Sequence, residues 1–174
     1  VLGRFSLSCT ARSFLQEVSR RKNGLAPQNP QWEAAAGAFE QEKAAAGVLD
    51  FDDLLCEALR LFNSPEAAPL PCFRYLLVDE FQDVNRIQYQ LIRAFSRGGK
   101  GLFVIGDPDQ SIYGFRGSWS GCFDAFLQDY PDCEVIHLKE NYRSTPQILG
   151  CALPVIEENP GGPRLLSAVR PDHQ

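Results

Sequence analysis

The sequence predicts an α/β protein in which a parallel sheet is flanked by helices and preceded by a helical N-terminal segment. Two apolar runs, at 75–78 and 102–105, each end abruptly in polar residues, as buried parallel strands do. An amphipathic pattern over about 84–95 separates the two runs and predicts a helix. This strand, helix, strand order predicts a right-handed parallel crossover.

Three helices are predicted before the first strand. Thr10 can cap a helix over 11–22, which the turn residues after it interrupt. A segment rich in Ala, Glu and Gln predicts a second helix over 32–46. Asp50 can cap a third over 51–62, whose first turn is acidic as the helix dipole favours.

The second half of the chain continues the α/β pattern. A turn at 98–101 leads into the second strand, and a further helix is predicted near 118–129. A third strand is predicted at 134–138, followed by a helix that begins at 144–146. Residues from Asn159 onward are rich in Pro and Gly and are predicted to be irregular.

The composition is that of a globular chain, with 174 residues of which 44% are hydrophobic and 22% charged. Neither a membrane-spanning run nor a signal peptide is evident, which predicts a soluble, cytoplasmic protein with no membrane partner. The start at Val1 and the lack of Met suggest a segment of a longer polypeptide. Six cysteines without a C-x-x-C pair predict reduced thiols rather than a metal or iron-sulfur cluster.

The net charge of -5 is unevenly distributed. Residues 47–84 carry eight acidic and two basic side chains, and this acidic middle is the candidate metal-binding edge. The basic cluster at 20–22 could contact a phosphate backbone, although a solvated helix end is the simpler interpretation.

Adjacent carboxylates follow the first predicted strand. Of Asp79 and Glu80, one can hold a hydrated Mg²⁺ while the other orients or deprotonates an attacking water. The alternative is that both are solvated strand-end charges and that Asp83 only caps the next helix. A glycine-rich phosphate loop of the form G-x-x-x-x-G-K-[ST] is absent from the chain, and Lys100 is interpreted as a turn lysine.

Two further segments carry candidate binding residues. In the loop at 106–117, Gln110 could bond a terminal phosphate oxygen, while Tyr113 and Phe115 could stack on bases or simply fill a core. Arg143 follows the third predicted strand, and its planar guanidinium suits a phosphate as well as a surface salt bridge.

Taken together, four segments resemble consecutive motifs of the UvrD/Rep/PcrA family of superfamily 1 DNA helicases. They lie at 51–54, 78–83, 106–117 and 138–145, in matching order and spacing. The resemblance implies a partial RecA-like sheet of the P-loop NTPase type. It divides the chain into a helical segment at 1–46 from the family's inserted subdomain, the later part of the first motor domain at 47–138, and the start of the second at 139–174.

The resemblance also implies roles for individual residues. Asp79 would hold Mg²⁺, Glu80 would activate water, and Gln82 with Gln110 would couple the terminal phosphate to the DNA-facing side. Arg143 would be the cationic finger.

The remaining implied contacts are with adenine and DNA. Tyr142 would lie against adenine, Tyr113 and Phe115 would stack on single-stranded DNA, and Arg116 would bridge DNA contacts and the second motor domain. Phe115 stands where the family commonly has tryptophan, which should retain stacking over a smaller area.

The implied function is that of a fragment of an ATP-dependent 3′ to 5′ DNA helicase that uses ATP and Mg²⁺. Its partners would be single-stranded and duplex DNA and the remainder of the helicase chain. The isolated chain is expected to be inactive because the phosphate-binding loop is absent. A noncatalytic DNA- or protein-binding module and a helicase subunit of a nuclease complex are the alternatives.

Overall fold

The computed structural model describes residues 3–64, 73–96, 98–112, 114, 118–159 and 164–170. The chain divides into two compact units, Val1–Asp129 and Tyr130–Gln174, which are described separately below. None of the helices in the described ranges is both long enough and apolar enough to cross a bilayer.

The first unit begins with three α-helices, and all three predicted helices are confirmed. The Thr10 side chain accepts a hydrogen bond from the Ser13 N–H, and Asp50 forms a reciprocal capping box with Asp53. Gly47 ends the second helix with φ of 64°, a left-handed conformation that glycine adopts without strain. The helices are α1 (Ala11–Lys22), α2 (Glu33–Ala46) and α3 (Phe51–Asn63).

A small aromatic core joins α1 to α2. Phe14 is 3% exposed and packs edge-on against Phe39 with ring centroids 5.8 Å apart. Ala35 and Ala36 are also buried in this core.

An ion-pair cluster connects all three helices. Lys22 Nζ lies 2.5 Å from Asp53 Oδ1, and Lys43 Nζ lies 2.5 Å from both Asp50 Oδ2 and Asp53 Oδ2. The oxygens of Glu40, Asp50 and Asp53 lie within 4.8 Å of one another, and the two ammonium groups pair with them. The acidic first turn of α3 therefore stabilises the contact between helices rather than facing solvent.

The pKa values of the cluster are shifted in opposite directions. Burial raises the pKa of Asp53, but hydrogen bonds from Lys22 and Lys43 outweigh burial and hold that pKa well below its usual value. Burial lowers the pKa of Lys43, but its bonds to Asp50 and Asp53 outweigh burial and raise the pKa above the usual range. Asp53 and Lys43 therefore both remain charged near neutral pH.

The basic cluster at 20–22 makes contacts within the protein. Arg21 donates to Glu17, which is 1% exposed, and also pairs with Glu33. Arg20 donates to the Ala26 carbonyl at 3.1 Å, and Lys22 belongs to the ion-pair cluster. The interpretation of this segment as a solvated helix end is therefore wrong, and the structure gives no support to a phosphate contact here.

A parallel strand pair with an intervening helix completes the main fold of the first unit. Strand β1 pairs with β2 in the register Leu76↔Leu102 and Val78↔Val104, which confirms the predicted crossover order. Helix α4 begins later than predicted, because Asn85 and Gln88 exchange side-chain to backbone bonds of 2.8 and 2.9 Å. The alternative interpretation in which Asp83 caps this helix is therefore wrong. The elements are β1 (Leu76–Val78), α4 (Arg86–Ser96), β2 (Leu102–Val104) and α5 (Cys122–Asp129).

The second unit differs from the prediction at two places. Residues 134–138 form no strand, and Val135, Ile136 and Leu138 are all more than half exposed, so their apolar pattern did not produce pairing. Two short strands instead pair in parallel further along the chain. The second of them, at 167–168, interrupts the end that was predicted to be irregular, while the other described residues of 164–170 lie in no helix or strand. The elements are β3 (Glu140–Asn141), α6 (Pro146–Ile156) and β4 (Ser167–Ala168).

The cysteines are consistent with the predicted thiols. Cys9, Cys56, Cys122, Cys133 and Cys151 are free, and Cys72 lies outside the described residues. Among the described cysteines Cys122 alone is buried, and burial raises the pKa of its thiol.

Candidate functional site

The carboxyl ends of β1 and β2 form one polar edge. The ladder continues past both strands, because Ile105 N–H donates to the Val78 carbonyl at 2.8 Å and Phe81 N–H donates to the Ile105 carbonyl at 2.9 Å. These two bonds bring the segment after β1 against the segment after β2. Ligands of parallel sheets bind at this kind of edge.

Asp79 and Glu80 leave β1 through an unusual backbone conformation. Glu80 has φ of 51°, in the left-handed region that costs a side-chain-bearing residue about 1–2 kcal/mol. Its N–H donates to Asp79 Oδ1 at 2.9 Å, and its carbonyl accepts from the Asp83 N–H at 2.9 Å. Both carboxylates are exposed as a result.

Phe81 anchors this edge to the core. Its side chain is 0% exposed and makes edge contacts with Tyr89, Phe123 and Phe126 at centroid distances of 5.2 to 6.1 Å. Cys122 Sγ lies 3.4 Å from the Phe81 carbonyl oxygen and donates to it. The neighbouring acidic pair is therefore attached to a well-packed support.

Gln82 connects the two strand ends. It is 3% exposed, and its Nε2 donates to Glu80 Oε2 at 2.6 Å while its Oε1 accepts from the Asp107 N–H at 3.0 Å. Gly106 permits this approach, because a Cβ there would lie 2.6 Å from Gln82 Oε1 and 3.0 Å from the Phe81 nitrogen.

Asp107 organises the loop after β2, although the sequence did not single it out as a site residue. Its carboxylate accepts from the Asp109 N–H at 3.0 Å and from Gln110 Nε2 at 2.8 Å. It precedes a short 3₁₀ turn, Pro108–Gln110, with Pro at the first position. An Asp directly before such a Pro is a capping signal that could have drawn attention to Asp107.

Four of the predicted residues therefore belong to one hydrogen-bonded chain. Glu80 is bonded directly to Asp79 and Gln82, and Asp107 connects Gln82 to Gln110.

Two other predicted site residues belong to the second unit. The Tyr142 hydroxyl donates to the Glu140 carboxylate, and this bond raises the pKa of Tyr142. Arg143 is exposed, and its main-chain N–H donates to Asn141 Oδ1 at 3.0 Å. Arg170 donates to the Arg143 carbonyl at 3.1 Å, a contact that the sequence did not reveal.

The predicted DNA-binding residues Tyr113, Phe115 and Arg116 lie outside the described residues. Their roles stay predictions from the sequence.

The donor set at the strand edge fits a hydrated Mg²⁺ carried by a nucleotide. Magnesium prefers oxygen ligands, retains several waters and is commonly held by one or two carboxylates together with phosphate oxygens, so an exposed carboxylate oxygen can supply one of its ligands. Asp79 Oδ1 accepts from the Glu80 N–H, and within the described ranges Oδ2 accepts no hydrogen bond. Glu80 Oε2 is held by Gln82, which leaves Oε1 for water.

The fold and site define the chain as a mixed α/β protein with a polar, hydrogen-bonded edge beyond two parallel strands. Residues 5–131 match the family model described as UvrD/REP helicase N-terminal domain. The chain belongs to this family.

Known relatives agree with this assignment. The chain is 38% identical over 162 residues to "ATP-dependent DNA helicase PcrA" of Staphylococcus epidermidis, covering 85% of this chain and 22% of the relative. It is 39% identical over 155 residues to "DNA helicase II" of Escherichia coli K12, covering 82% of this chain and 22% of the relative. The chain thus spans about a fifth of the length of these relatives.

Proposed function

We propose that the chain is part of the motor core of an ATP-dependent DNA helicase that moves 3′ to 5′ along single-stranded DNA. The observation that carries this proposal is the hydrogen-bonded chain from Glu80 to Gln110 at the ends of β1 and β2. Membership in the UvrD/REP family and the names of its relatives support it. The division into segments 1–46, 47–138 and 139–174 of such a motor is part of the proposal.

The proposed chemistry assigns separate tasks to the strand-end residues. When bound, Mg²⁺ with ATP supplies the phosphoryl group and neutralises part of its charge. Asp79 would hold the metal, and Glu80 would orient a water through Oε1 and accept its proton. Gln110 donates one Nε2 hydrogen to Asp107 and has a second for a phosphate oxygen.

The remaining roles rest on resemblance to the family. Tyr142 is the proposed adenine contact and Arg143 the proposed cationic finger, both from the second unit. Tyr113, Phe115 and Arg116 are the proposed contacts with single-stranded DNA.

The activity can be tested in a chimera in which the matched region of Escherichia coli DNA helicase II is replaced by this chain. DNA-stimulated ATP hydrolysis that disappears in Glu80→Gln would support the proposal. A folded chimera whose hydrolysis is unchanged by Glu80→Gln would overturn it.

DNA binding can be tested on the chain itself. Phe115→Ala should weaken single-stranded oligonucleotide binding by about 1–3 kcal/mol and duplex binding less, because stacking requires an unpaired base. Tyr75→Ala is the control, since Tyr75 is an aromatic side chain that is 63% exposed and lies outside the four helicase-like segments. Equal losses for both nucleic acids, or for both variants, would contradict a stacking role.

A further inference from the structure

We propose that Asp107 is a positioning residue which, through the buried Gln82, holds Glu80 and Gln110 in one hydrogen-bonded relay. This inference rests on the proposed function, because the relay matters for chemistry only if Glu80 and Gln110 act on a nucleotide. Asp107 lies within the helicase-like segment at 106–117, but the roles assigned above in that segment go to Gln110, Tyr113, Phe115 and Arg116.

The relay has three links, each with ordinary hydrogen-bond geometry. Gln82 Nε2 to Glu80 Oε2 is 2.6 Å, Asp107 N to Gln82 Oε1 is 3.0 Å, and Gln110 Nε2 to Asp107 Oδ2 is 2.8 Å. Two of these links involve a carboxylate, which makes them stronger than neutral pairs.

Burial of Gln82 fixes the hydrogen-bond partners of its side-chain amide. Gln82 is 3% exposed, so its amide cannot exchange its protein partners for water without an energetic penalty. Its orientation is also determined, because a carboxylate oxygen can only accept and a main-chain N–H can only donate. The amide of Gln82 must therefore direct nitrogen toward Glu80 and oxygen toward Asp107.

The surroundings restrict the relay to one geometry. Gly106 leaves room for Gln82 Oε1 that any side chain would fill, and the Ser111 hydroxyl donates to the Gln82 carbonyl at 3.2 Å. The other oxygen of Asp107 caps Asp109, which keeps the carboxylate facing Gln110. A displacement of the loop after β2 would thus be transmitted to the carboxylate of Glu80.

The test is nuclear magnetic resonance of the full ¹⁵N-labelled chain, observing the side-chain amides of Gln82 and Gln110. Glu80→Gln should shift both amides, because Gln82 loses its ionised partner and any adjustment of Gln82 moves the Asp107 main chain that it binds, together with the carboxylate that holds Gln110. When Glu80→Gln is introduced into the Gln82→Met variant, the Gln110 amide resonance should no longer shift. The relay would be overturned by a Gln110 resonance that does not shift in Glu80→Gln. It would also be overturned by one that shifts by the same amount when Glu80→Gln is combined with Gln82→Met.

A second variant separates positioning from simple capping and does not disturb the core. Asp107→Asn retains an oxygen that can cap the Asp109 N–H but presents an NH₂ group to Gln110, so the Gln110 amide should turn over. The expected signature is unchanged protection of the Asp109 N–H together with loss of the Gln110 response to Glu80→Gln. A retained response would refute positioning, and Asp124→Asn on α5 is the control.

These measurements need no ATP hydrolysis. Loss of the relay is therefore detected in the spectra of the side-chain amides. Failure of the proposed function is detected separately, in the ATP hydrolysis assay of the chimera.

Discussion

Lys43 of α2 pairs with Asp53 of α3 in the ion-pair cluster, with Lys43 Nζ 2.5 Å from Asp53 Oδ2 and Lys43 only 8% exposed. Lys22 of α1 reaches the same carboxylate from the other side. Electrostatic contacts among helices whose apolar core is small should therefore contribute to the stability of the N-terminal segment.

Acid should destabilise the chain through this cluster. The pKa values of Asp50 and Asp53 are lowered in the folded chain, so their contribution is present above the unfolded value of about 4 and is lost as pH falls through the folded values. The urea midpoint should be nearly constant from pH 7 to 5 and should fall at pH 3. Asp53→Asn should reduce this fall, and an unchanged pH dependence in that variant would contradict the assignment.

Removing the cation should destabilise the chain at neutral pH. Lys43→Met leaves the carboxylates of Glu40, Asp50 and Asp53 near one another, with Lys22 as their remaining partner in the cluster. We therefore expect a loss of about 2 kcal/mol in the free energy of unfolding. This loss is smaller than the loss expected for a fully buried ion pair, because Asp50 is 37% exposed. Lys100→Met, at an exposed turn lysine, is the matched control and should change stability by less than about 0.5 kcal/mol. Equal urea midpoints for the two variants would rule out this role for Lys43.

The sequence revealed features that depend on near neighbours in the chain. The caps at Thr10 and Asp50 are local hydrogen-bonding preferences, and both were predicted correctly, as was the end of the second helix at position 46. The pairing of Lys22 with Asp53 spans 31 positions and depends on how α1 packs on α3, which no local pattern encodes.

The strands and the site show the same difference between features set by near neighbours in the chain and features set by long-range contacts. The apolar pattern at 134–138 resembles that of a strand, but pairing requires a partner, and the described structure provides one for β3 instead. Asp79 and Glu80 were recognisable because they end an apolar run. The link from Gln82 to Asp107 joins residues 25 positions apart and became visible only in the folded chain.

Two glycines of the turn before β2 offer a matched test of backbone strain. Gly98 has φ of 89° with open space at its Cβ position, whereas Gly101 has φ of 74° and a Cβ there would lie 2.2 Å from the Arg74 carbonyl oxygen. Gly98→Ala should cost about 1–2 kcal/mol for the left-handed conformation alone.

Gly101→Ala should cost about 3 kcal/mol or more, because the clash is with backbone and the Gly101 carbonyl accepts the Leu76 N–H at 2.9 Å where β1 begins. Thermal or urea unfolding of the two variants side by side would measure the difference. Similar losses would mean that the approach of Gly101 to Arg74 does not constrain the turn.

Glu80→Gln should separate activity from stability. A glutamine oxygen can still accept from Gln82, and the backbone at φ of 51° is unchanged, so the free energy of unfolding should fall by no more than about 1 kcal/mol, the difference between a charged and a neutral acceptor. The isolated chain should show weak or undetectable ATP turnover, because it lacks a phosphate-binding loop and its lysine. In the chimera, the same substitution should reduce hydrolysis by about 10²-fold or more through loss of the base. Steady turnover by the isolated chain that Glu80→Gln abolishes would show that the phosphate-binding loop is dispensable and would refute the expected inactivity.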